Sequence, residues 1–95
     1  MKKNENHVDI RFRLFLLNRL FQSLTFNDIK RATEIDSGKK ISSRRLRYII
    51  SNMRNNHLIK KTPVEEKDVE GSLYMYIITK KGIKKLKYYK KKLNQ

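Results

Sequence analysis

The segment from Ile41 to Lys61 constrains the fold of this chain more than any other stretch. Its apolar residues recur at i, i+3, i+4 and i+7, the spacing of one face of an α-helix. They are Leu46, Ile49, Ile50 and Met53. At about 100° per residue, the opposite side carries only polar or phenolic side chains: Arg44, Tyr48, Ser51 and Asn55. The sequence therefore predicts a helix that is capped by Ser42 or Ser43, runs to about Asn56 and has one side for packing.

The polar side of this helix suits the major groove of DNA. Arg reaches guanine edges and phosphates, Asn reads adenine, and Ser and Tyr donate hydrogen bonds to phosphates. A charged helix face is usually no more than a solvated face. Such a face normally mixes both signs, often as i, i+4 pairs, whereas the whole segment from Ile41 to Lys61 contains no acidic residue. We therefore interpret this segment as a recognition helix.

Composition narrows the class of protein. The chain has 95 residues, enough for one small domain, and a formal charge of +15 from 24 Lys and Arg against 9 Asp and Glu. That imbalance favours polyanionic partners, nucleic acid first and an anionic membrane surface second. The absence of cysteine excludes disulfides, thiolate metal sites and a cysteine nucleophile.

Targeting and spanning segments are not indicated by the sequence. The longest unbroken apolar run, Leu14 to Leu17, is far shorter than the roughly 20 residues that span a bilayer. The first ten residues lack the apolar core of a signal peptide, and residues 1–7 are expected to form a flexible tail. These features predict one domain over residues 1–95 in an intracellular protein of the cytoplasm, or of the host cytoplasm if its source is a virus.

Helix 1 is predicted from Val8 to about Gln22 and is apolar nearly all round. Its first apolar stripe consists of Ile10, Leu14, Leu17 and Phe21, and Phe12 and Leu16 form a second. A helix with this pattern is covered on more than one side. The second stripe is expected to lie in a homodimer interface, with coverage by the C-terminal helix of the same chain as the alternative.

The next predicted elements are a break at Ser23–Thr25, with a stub of strand, and a short helix 2 from Phe26 to Thr33. Thr25 or Asn27 is expected to cap this helix. Its inward positions are predicted at i, i+3 and i+6, namely Phe26, Ile29 and Ala32. The segment 34–40, rich in helix-breaking residues, is predicted to be a turn in which Gly38 can take a positive φ.

After the basic helix, two strands and a last helix are predicted. The strands are Leu58–Val64 and Leu73–Ile78, the second with clear period-two alternation, and residues 65–72 form a long acidic loop between them. Thr79 is expected to cap a helix from Lys80 to about Leu93. From Gly71 to Gln95 there are eight Lys and no acids. The fold class is thus α+β and mainly helical.

Three short motifs occur in the order expected for a helix-turn-helix followed by a strand hairpin. Met53–Ile59 reads as a recognition-helix exit into a strand, Tyr76–Gly82 as a strand exit into a helix through Thr79, and Ile41–Ser43 as a recognition-helix entry. In this arrangement the chain resembles the winged helix-turn-helix proteins, and among them the small MarR- and PadR-like regulators of bacteria, archaea and archaeal viruses. The resemblance covers about Val8 to Leu93 and implies a three-helix core, a two-stranded wing hairpin and a C-terminal helix.

The sequence also departs from this family's pattern. His57 stands where the family usually has Gly, so the helix exit must accept a side chain, and Met53 replaces the usual Leu. The wing tip carries Glu65, Glu66, Asp68 and Glu70, which phosphates would repel. The family's contact between the wing and the minor groove is therefore not carried over to this chain.

The resemblance implies roles for two sets of residues. The residues expected at DNA lie on helix 3 and at its two ends, with Asn52 at the edge of the reading face: Lys39, Lys40, Ser42, Ser43, Arg44, Arg45, Arg47, Tyr48, Ser51, Asn52, Lys60 and Lys61. Helix 1 and the last helix are expected to build a homodimer through Ile10, Phe12, Leu16, Leu20, Ile83, Leu86, Tyr89 and Leu93. Such a dimer sets two recognition helices about 34 Å apart, one turn of DNA.

No catalytic or metal-binding constellation is evident in the sequence. The two histidines, His7 and His57, are far apart, and the three glycines are isolated, so neither a metal site nor a phosphate-binding glycine loop is predicted. The acidic cluster at 65–70 lacks the spacing and the glycine of a calcium loop. We therefore expect no enzyme activity and no cofactor, and no small-molecule ligand is evident from the sequence.

Three functional hypotheses follow from the sequence. The first is a dimeric, sequence-specific transcriptional regulator that binds double-stranded DNA and has no membrane partner. The second is a winged helix used in protein assembly through its acidic wing and apolar helix 1. The third is a protein that coats DNA or RNA without sequence preference. Salt weakens the first and third alike, but a regulator keeps a preference of about 10³ or more for its site over random DNA.

Overall fold

Four helices and three short strands make up the computed structural model of the chain, which describes residues 7–63 and 74–94, with side chains from residue 10 on. The elements are α1 (His7–Arg19), β1 (Leu24–Thr25), α2 (Phe26–Ser37), α3 (Ser43–Asn55), β2 (Ile59–Pro63), β3 (Tyr74–Ile78) and α4 (Lys80–Leu93). This order confirms the predicted mainly helical α+β fold. The first six residues of the expected flexible tail (residues 1–7) and the acidic loop with its cluster at 65–70 lie outside the described residues, whereas His7 belongs to α1 and not to a tail.

The three strands form one antiparallel sheet in the order β1-β3-β2. The stub of strand predicted near Leu24 is present and pairs with β3, with Leu24 opposite Tyr76. Ile59 of β2 is opposite Ile78 at the other edge of β3, and the Ile78 N–H donates to the Leu20 carbonyl at 2.8 Å. The sheet is thereby attached to the end of α1 and directs the chain from α3 into α4.

One continuous apolar core joins α1, α2, α3, α4 and the sheet. Its fully buried members include Leu16, Leu17, Ile29, Leu46 and Met53. Tyr76 and Ile78 of β3 pack against this core with partly buried side chains. The core thus forms behind α3, which leaves the other side of that helix to solvent.

The second stripe of α1 is covered within the chain, and the expectation that it needs a partner is wrong. Phe12 and Leu16 are 5% and 0% exposed, because α1 packs against both α2 and α4. The same correction applies to most of the eight residues that were predicted at a dimer interface. Six of them are core residues of the single chain, and only the last two are partly exposed: Ile10, Phe12, Leu16, Leu20, Leu86 and Tyr89, then Ile83 and Leu93.

Helix α2 continues four residues beyond the predicted end, to Ser37. Thr25 caps its start by accepting from the Asp28 N–H, and Lys30 and Glu34 pair at 3.3 Å across the middle of the helix. The helix stops only at Gly38, whose φ of 71° places it in the left-handed region and whose N–H donates to the Glu34 carbonyl at 2.9 Å. The prediction failed because Asp and Ser only weakly disfavour a helix, whereas a left-handed glycine ends one.

Candidate nucleic-acid interface

The rotation of α3 about its own axis is fixed by its buried side. The four residues of the predicted apolar stripe, Leu46, Ile49, Ile50 and Met53, are each at most 3% exposed. At the start of the helix, the Ser42 hydroxyl accepts a hydrogen bond from the Arg45 N–H at 3.1 Å, which is a helix N-cap. The predicted cap and apolar stripe are both confirmed, so the polar side of α3 faces away from the protein.

The end of α3 is a Schellman motif. The Leu58 N–H donates to the Met53 carbonyl at 2.9 Å and the His57 N–H to the Arg54 carbonyl at 3.0 Å, while Leu58 and Met53 are both buried. His57 takes a φ of 62° at the position where the resemblance has glycine. A left-handed residue with a Cβ is strained by about 1–2 kcal/mol. This exit directs the chain into β2, on which Lys60 and Lys61 are exposed.

The entry to α3 is attached to α2 through Glu34. One carboxylate oxygen, Oε2, accepts from the Ile41 N–H at 2.8 Å and from Lys30 Nζ at 3.3 Å. The pKa of Glu34 is lowered, first by the hydrogen bond from Ile41 and then by Lys30. Because the Ile41 side chain is also buried, the residues just before the cap of α3 are held in place.

Most of the residues predicted at DNA are exposed on or beside α3. Arg44, Tyr48 and Ser51 lie on its outward side, and the Tyr48 ring is 63% exposed although it is large and apolar. Around the start of the helix the exposed residues are Lys39, Lys40, Ser42, Ser43 and Arg45. The structure therefore brings together a phenol, hydroxyls and a set of cations that project from one rigid helix and from its two ends.

Two of the predicted residues point elsewhere. The Asn52 carboxamide faces α1, because its Oδ1 accepts from Arg13 Nη1 at 2.9 Å. The Asn56 amide also approaches that oxygen, at 3.4 Å. The Arg47 guanidinium lies 4.6 Å from the centre of the Phe26 ring, a cation–π contact with α2. Asn52 therefore does not join the outward face, and Arg47 lies at its border with α2.

Acidic residues are absent from α3 and β2, although Glu34 of α2 reaches the entry to α3. In the part of the chain whose side chains are described, the acidic residues are Asp28, Glu34 and Asp36, all of them on α2. Asp36 accepts two hydrogen bonds from Arg19, at 2.6 and 2.7 Å, and its pKa is lowered chiefly by them. Residues 37–63 carry eight cations and no acid. A phosphate backbone is attracted to such a surface.

Arg13 was not singled out by the sequence analysis. It is only 6% exposed and connects α1 to α3 through Asn52. The sequence offered one signal, which is that this arginine lies on a helix that is apolar nearly all round. Its partner is 39 residues away in the chain, so neither periodicity nor composition could identify the contact.

The described residues also bear on two other classes of protein, metal-binding and membrane-spanning. Among them, no three His, Cys, Asp or Glu side chains come together as ligands for a metal ion. Within the same residues, none of the helices has the length and apolar character needed to cross a membrane.

This arrangement of α1, β1, α2, α3 and a two-stranded wing followed by α4 defines a winged helix-turn-helix fold. The chain is similar in structure to a PadR family transcriptional regulator from Eggerthella lenta, with a TM-score of 0.77 and 13% identity over 92% of this chain and 78% of that one. A transcriptional regulator from Clostridium thermocellum gives a TM-score of 0.73 and 22% identity, over 98% and 86%.

A PadR-like transcriptional regulator from Bacillus cereus also gives a TM-score of 0.73, with 16% identity over 86% of this chain and 80% of that one. No protein-family model matches the sequence, and no curated protein does. At these identities the likeness shows the fold, which confirms the winged-helix architecture that the three sequence motifs predicted.

Proposed function

We propose that this protein is a sequence-specific double-stranded DNA-binding protein that regulates transcription, with α3 in the major groove. The observation that carries the proposal is the outward side of α3, where Arg44, Tyr48 and Ser51 are exposed on a helix fixed by four buried residues. Arginine and hydroxyl groups are among those that read base edges and position phosphates. The three solved structures compared above are named transcriptional regulators, which supports a binding role rather than a catalytic one.

Each set of side chains has a role in this proposal. Arg44 and Ser51 read base edges, and Tyr48 donates to a phosphate or packs on a sugar. Phosphates are also met at the two ends of the helix, by Lys39, Lys40, Ser42, Ser43, Arg45, Lys60 and Lys61. The N-terminal backbone N–H groups of α3 add to the attraction, because they favour anions.

The proposal includes a homodimer, because two recognition helices about 34 Å apart read a palindrome. It also places the protein in the cytoplasm. Of the side chains first expected at the interface, Ile83 and Leu93 of α4 remain partly exposed. A dimer would use this edge of α4 rather than the buried stripe of α1. Sedimentation at micromolar concentration tests the dimer, and a monomer in both the free and the DNA-bound protein would contradict it.

Binding to a library of genomic duplex fragments tests the function. A regulator retains a few fragments with a preference of about 10³ or more over the bulk of the library, and the preference persists as salt is raised. Uniform retention of all fragments, lost in parallel as salt rises, would overturn the proposal.

Uniform retention would favour a second candidate, a coating protein without sequence preference. The observation behind that candidate is α4, which carries eight lysines over Lys80–Lys92 with Tyr88 exposed among them. Lysine-rich surfaces attract any phosphate backbone, whatever its sequence. The two candidates therefore differ in which helix dominates binding.

A further inference from the structure

A cleft of about 220 Å³ lies where α1, the end of α3 and the first half of α4 meet. Three of the side chains that line it are cationic, Arg13 from α1 and Lys81 and Lys85 from α4. The carboxamides of Asn52 and Asn56 line the side formed by α3. Leu58 and Tyr89, both buried, complete the wall. The cleft is separate from the outward face of α3 described above.

The charges around the cleft have one sign. No carboxylate lines it in the part of the chain that the structure describes. Like charges around one small space repel one another, and that repulsion is relieved when an anion enters. The cleft therefore has the electrostatic character of an anion site.

The cleft is also a built site rather than a loose group of surface lysines. Arg13 is more than nine-tenths buried, and its guanidinium is oriented by the hydrogen bond from Nη1 to Asn52 Oδ1 at 2.9 Å. Lys85 is half-buried, and its Nζ lies 4.5 Å from the centre of the Tyr88 ring and 5.3 Å from that of the Tyr89 ring. Fixed donors lose less conformational entropy when a ligand binds than free ones do.

We propose that this cleft binds a phosphate group. Guanidinium forks match phosphate geometry and lysine is a common point-charge partner for phosphate, while the Asn52 carboxamide N–H₂ supplies a further donor. The volume is below the roughly 300–1,000 Å³ of drug-sized ligand sites, so it suits a small oxyanion rather than a large ligand. The phosphate group comes either from a free anion, such as a phosphomonoester, or from the backbone of bound DNA.

Binding there connects three elements. The lining residues belong to α1, α3 and α4, so an occupying phosphate bridges these helices next to the exit from α3. A ligand that binds only the folded state raises the midpoint of thermal unfolding, and the rise grows with the logarithm of ligand concentration above Kd. Phosphate should therefore stabilise the protein beyond the effect of ionic strength alone.

The test is isothermal titration calorimetry of the full chain with inorganic phosphate, at ionic strength held constant with sodium chloride. The cleft variant carries Lys81→Gln and Lys85→Gln. The control variant carries Lys90→Gln and Lys91→Gln, which remove the same charge from exposed positions on the same helix outside the cleft. Far-ultraviolet circular dichroism verifies that both variants fold.

The expected result is saturable binding at one site per chain. The cleft variant should bind phosphate about tenfold or more weakly than the unmodified protein, and the control variant within about twofold of it. The absence of saturable binding, or an equal loss in the two variants, would overturn the proposal, because both outcomes indicate diffuse attraction only. The titration contains no DNA, so its failure is distinguishable from failure of the proposed DNA recognition.

A second measurement identifies the source of the phosphate group. If the cleft takes a backbone phosphate, the cleft variant binds every duplex more weakly than the control variant does, and inorganic phosphate competes with DNA at constant ionic strength. If the cleft takes a free anion, the two variants bind DNA equally, and phosphate still titrates into the preformed DNA complex.

Discussion

Helices α3 and α4 are both cationic on their outer sides, yet their outer sides are chemically different. The exposed side of α3 combines Arg44, Tyr48, Ser51 and Asn55. The exposed side of α4 is lysine almost throughout, with Tyr88 as the exception. Arginine presents a rigid fork of donors, whereas lysine is a hydrated point charge on a flexible stem. Both helices therefore attract phosphates, but the side chains on α3 are better suited to distinguishing bases than the lysines on α4.

The attachment of the two helices to the protein differs as well. α3 has four buried residues behind it, a serine cap at its start and a Schellman motif at its end. α4 is anchored by fewer large side chains, mainly Leu86 and Tyr89, together with a close approach of Gly82 to β3. A helix that reads sequence must hold its side chains within a fraction of an ångström, whereas one that only attracts phosphates need not.

The largest expected effect comes from removing the packing behind α3. Leu46→Ala should lower the free energy of unfolding by about 2–5 kcal/mol, because Leu46 is fully buried and its loss leaves a cavity. Urea unfolding followed by circular dichroism measures the change. Lys84 is exposed on α4, so Lys84→Ala should change the free energy of unfolding by no more than about 0.5 kcal/mol. A change of similar small size for Leu46→Ala would contradict the described anchoring.

The next effect concerns the anchoring of α4. A Cβ at Gly82 would collide with the Leu58 carbonyl oxygen and come within 2.7 Å of Ile78 Cγ1, so Gly82→Ala should destabilise the protein by about 1–3 kcal/mol. Gly38→Ala is the matched comparison, because nothing lies within 4 Å of its added methyl and only its φ of 71° is unfavourable. In thermal unfolding, the midpoint temperature of Gly82→Ala should be lower than that of Gly38→Ala. The reverse order would show that α4 does not pack this closely.

A pair of substitutions compares the two helices in DNA binding. Arg44→Ala should weaken binding to the preferred site by about 1–3 kcal/mol and reduce discrimination between sites. Lys84→Ala should weaken all duplexes alike and lower the slope of log K against log salt by about one. Fluorescence anisotropy across several salt concentrations measures both. If Arg44→Ala weakens random and preferred duplexes equally, α3 does not read bases.

The entry to α3 depends on a carboxylate, whereas α4 contains no acidic residue, so acid should affect the stability of the first and not of the second. Hydrogen bonds from Ile41 and Arg19 lower the pKa values of Glu34 and Asp36, so the unfolded chain binds more protons than the folded one at acidic pH. Their contribution to stability is present above their ordinary pKa values, roughly 4. It is lost as pH falls through the lowered values.

Thermal unfolding between about pH 6 and about pH 3 measures this dependence. Glu34→Gln should give a flatter profile than the unmodified protein, because the glutamine does not titrate. An unchanged profile would mean that the hydrogen bond from Ile41 N–H to Glu34 does not contribute to holding the start of α3.

The smallest effect is expected at the exit from α3. His57→Gly relieves the strain of a left-handed backbone but gives the unfolded chain more freedom, so the net gain should be at most about 1 kcal/mol. Chemical unfolding is the measurement. A loss of stability larger than about 1 kcal/mol would show that the imidazole makes a contact that outweighs the strain.

The sequence predicted the elements whose causes are local. The i, i+3, i+4, i+7 stripe and Ser42 specify α3, and period-two alternation with Thr79 specifies β3 and the start of α4. It did not predict the end of α2, because that end depends on Gly38 and on Glu34 contacting Ile41 seven residues later.

The other incorrect predictions concern contacts between distant parts of the chain. The second stripe of α1 is covered by packing within the chain, and Asn52 is turned aside by Arg13 of α1. Helical periodicity identifies a side that must be covered, but it does not say which element covers it. The candidate site was thus predictable along the outward face of α3 and not along its flanks.

In vitro selection of binding sites from random duplexes shows whether the outward face of α3 reads DNA sequence. We expect an enriched palindrome whose half-sites are centred about 10 base pairs apart, with enrichment reduced for Arg44→Ala and retained for Lys84→Ala. A protein that binds the pool well but enriches no sequence would contradict the account.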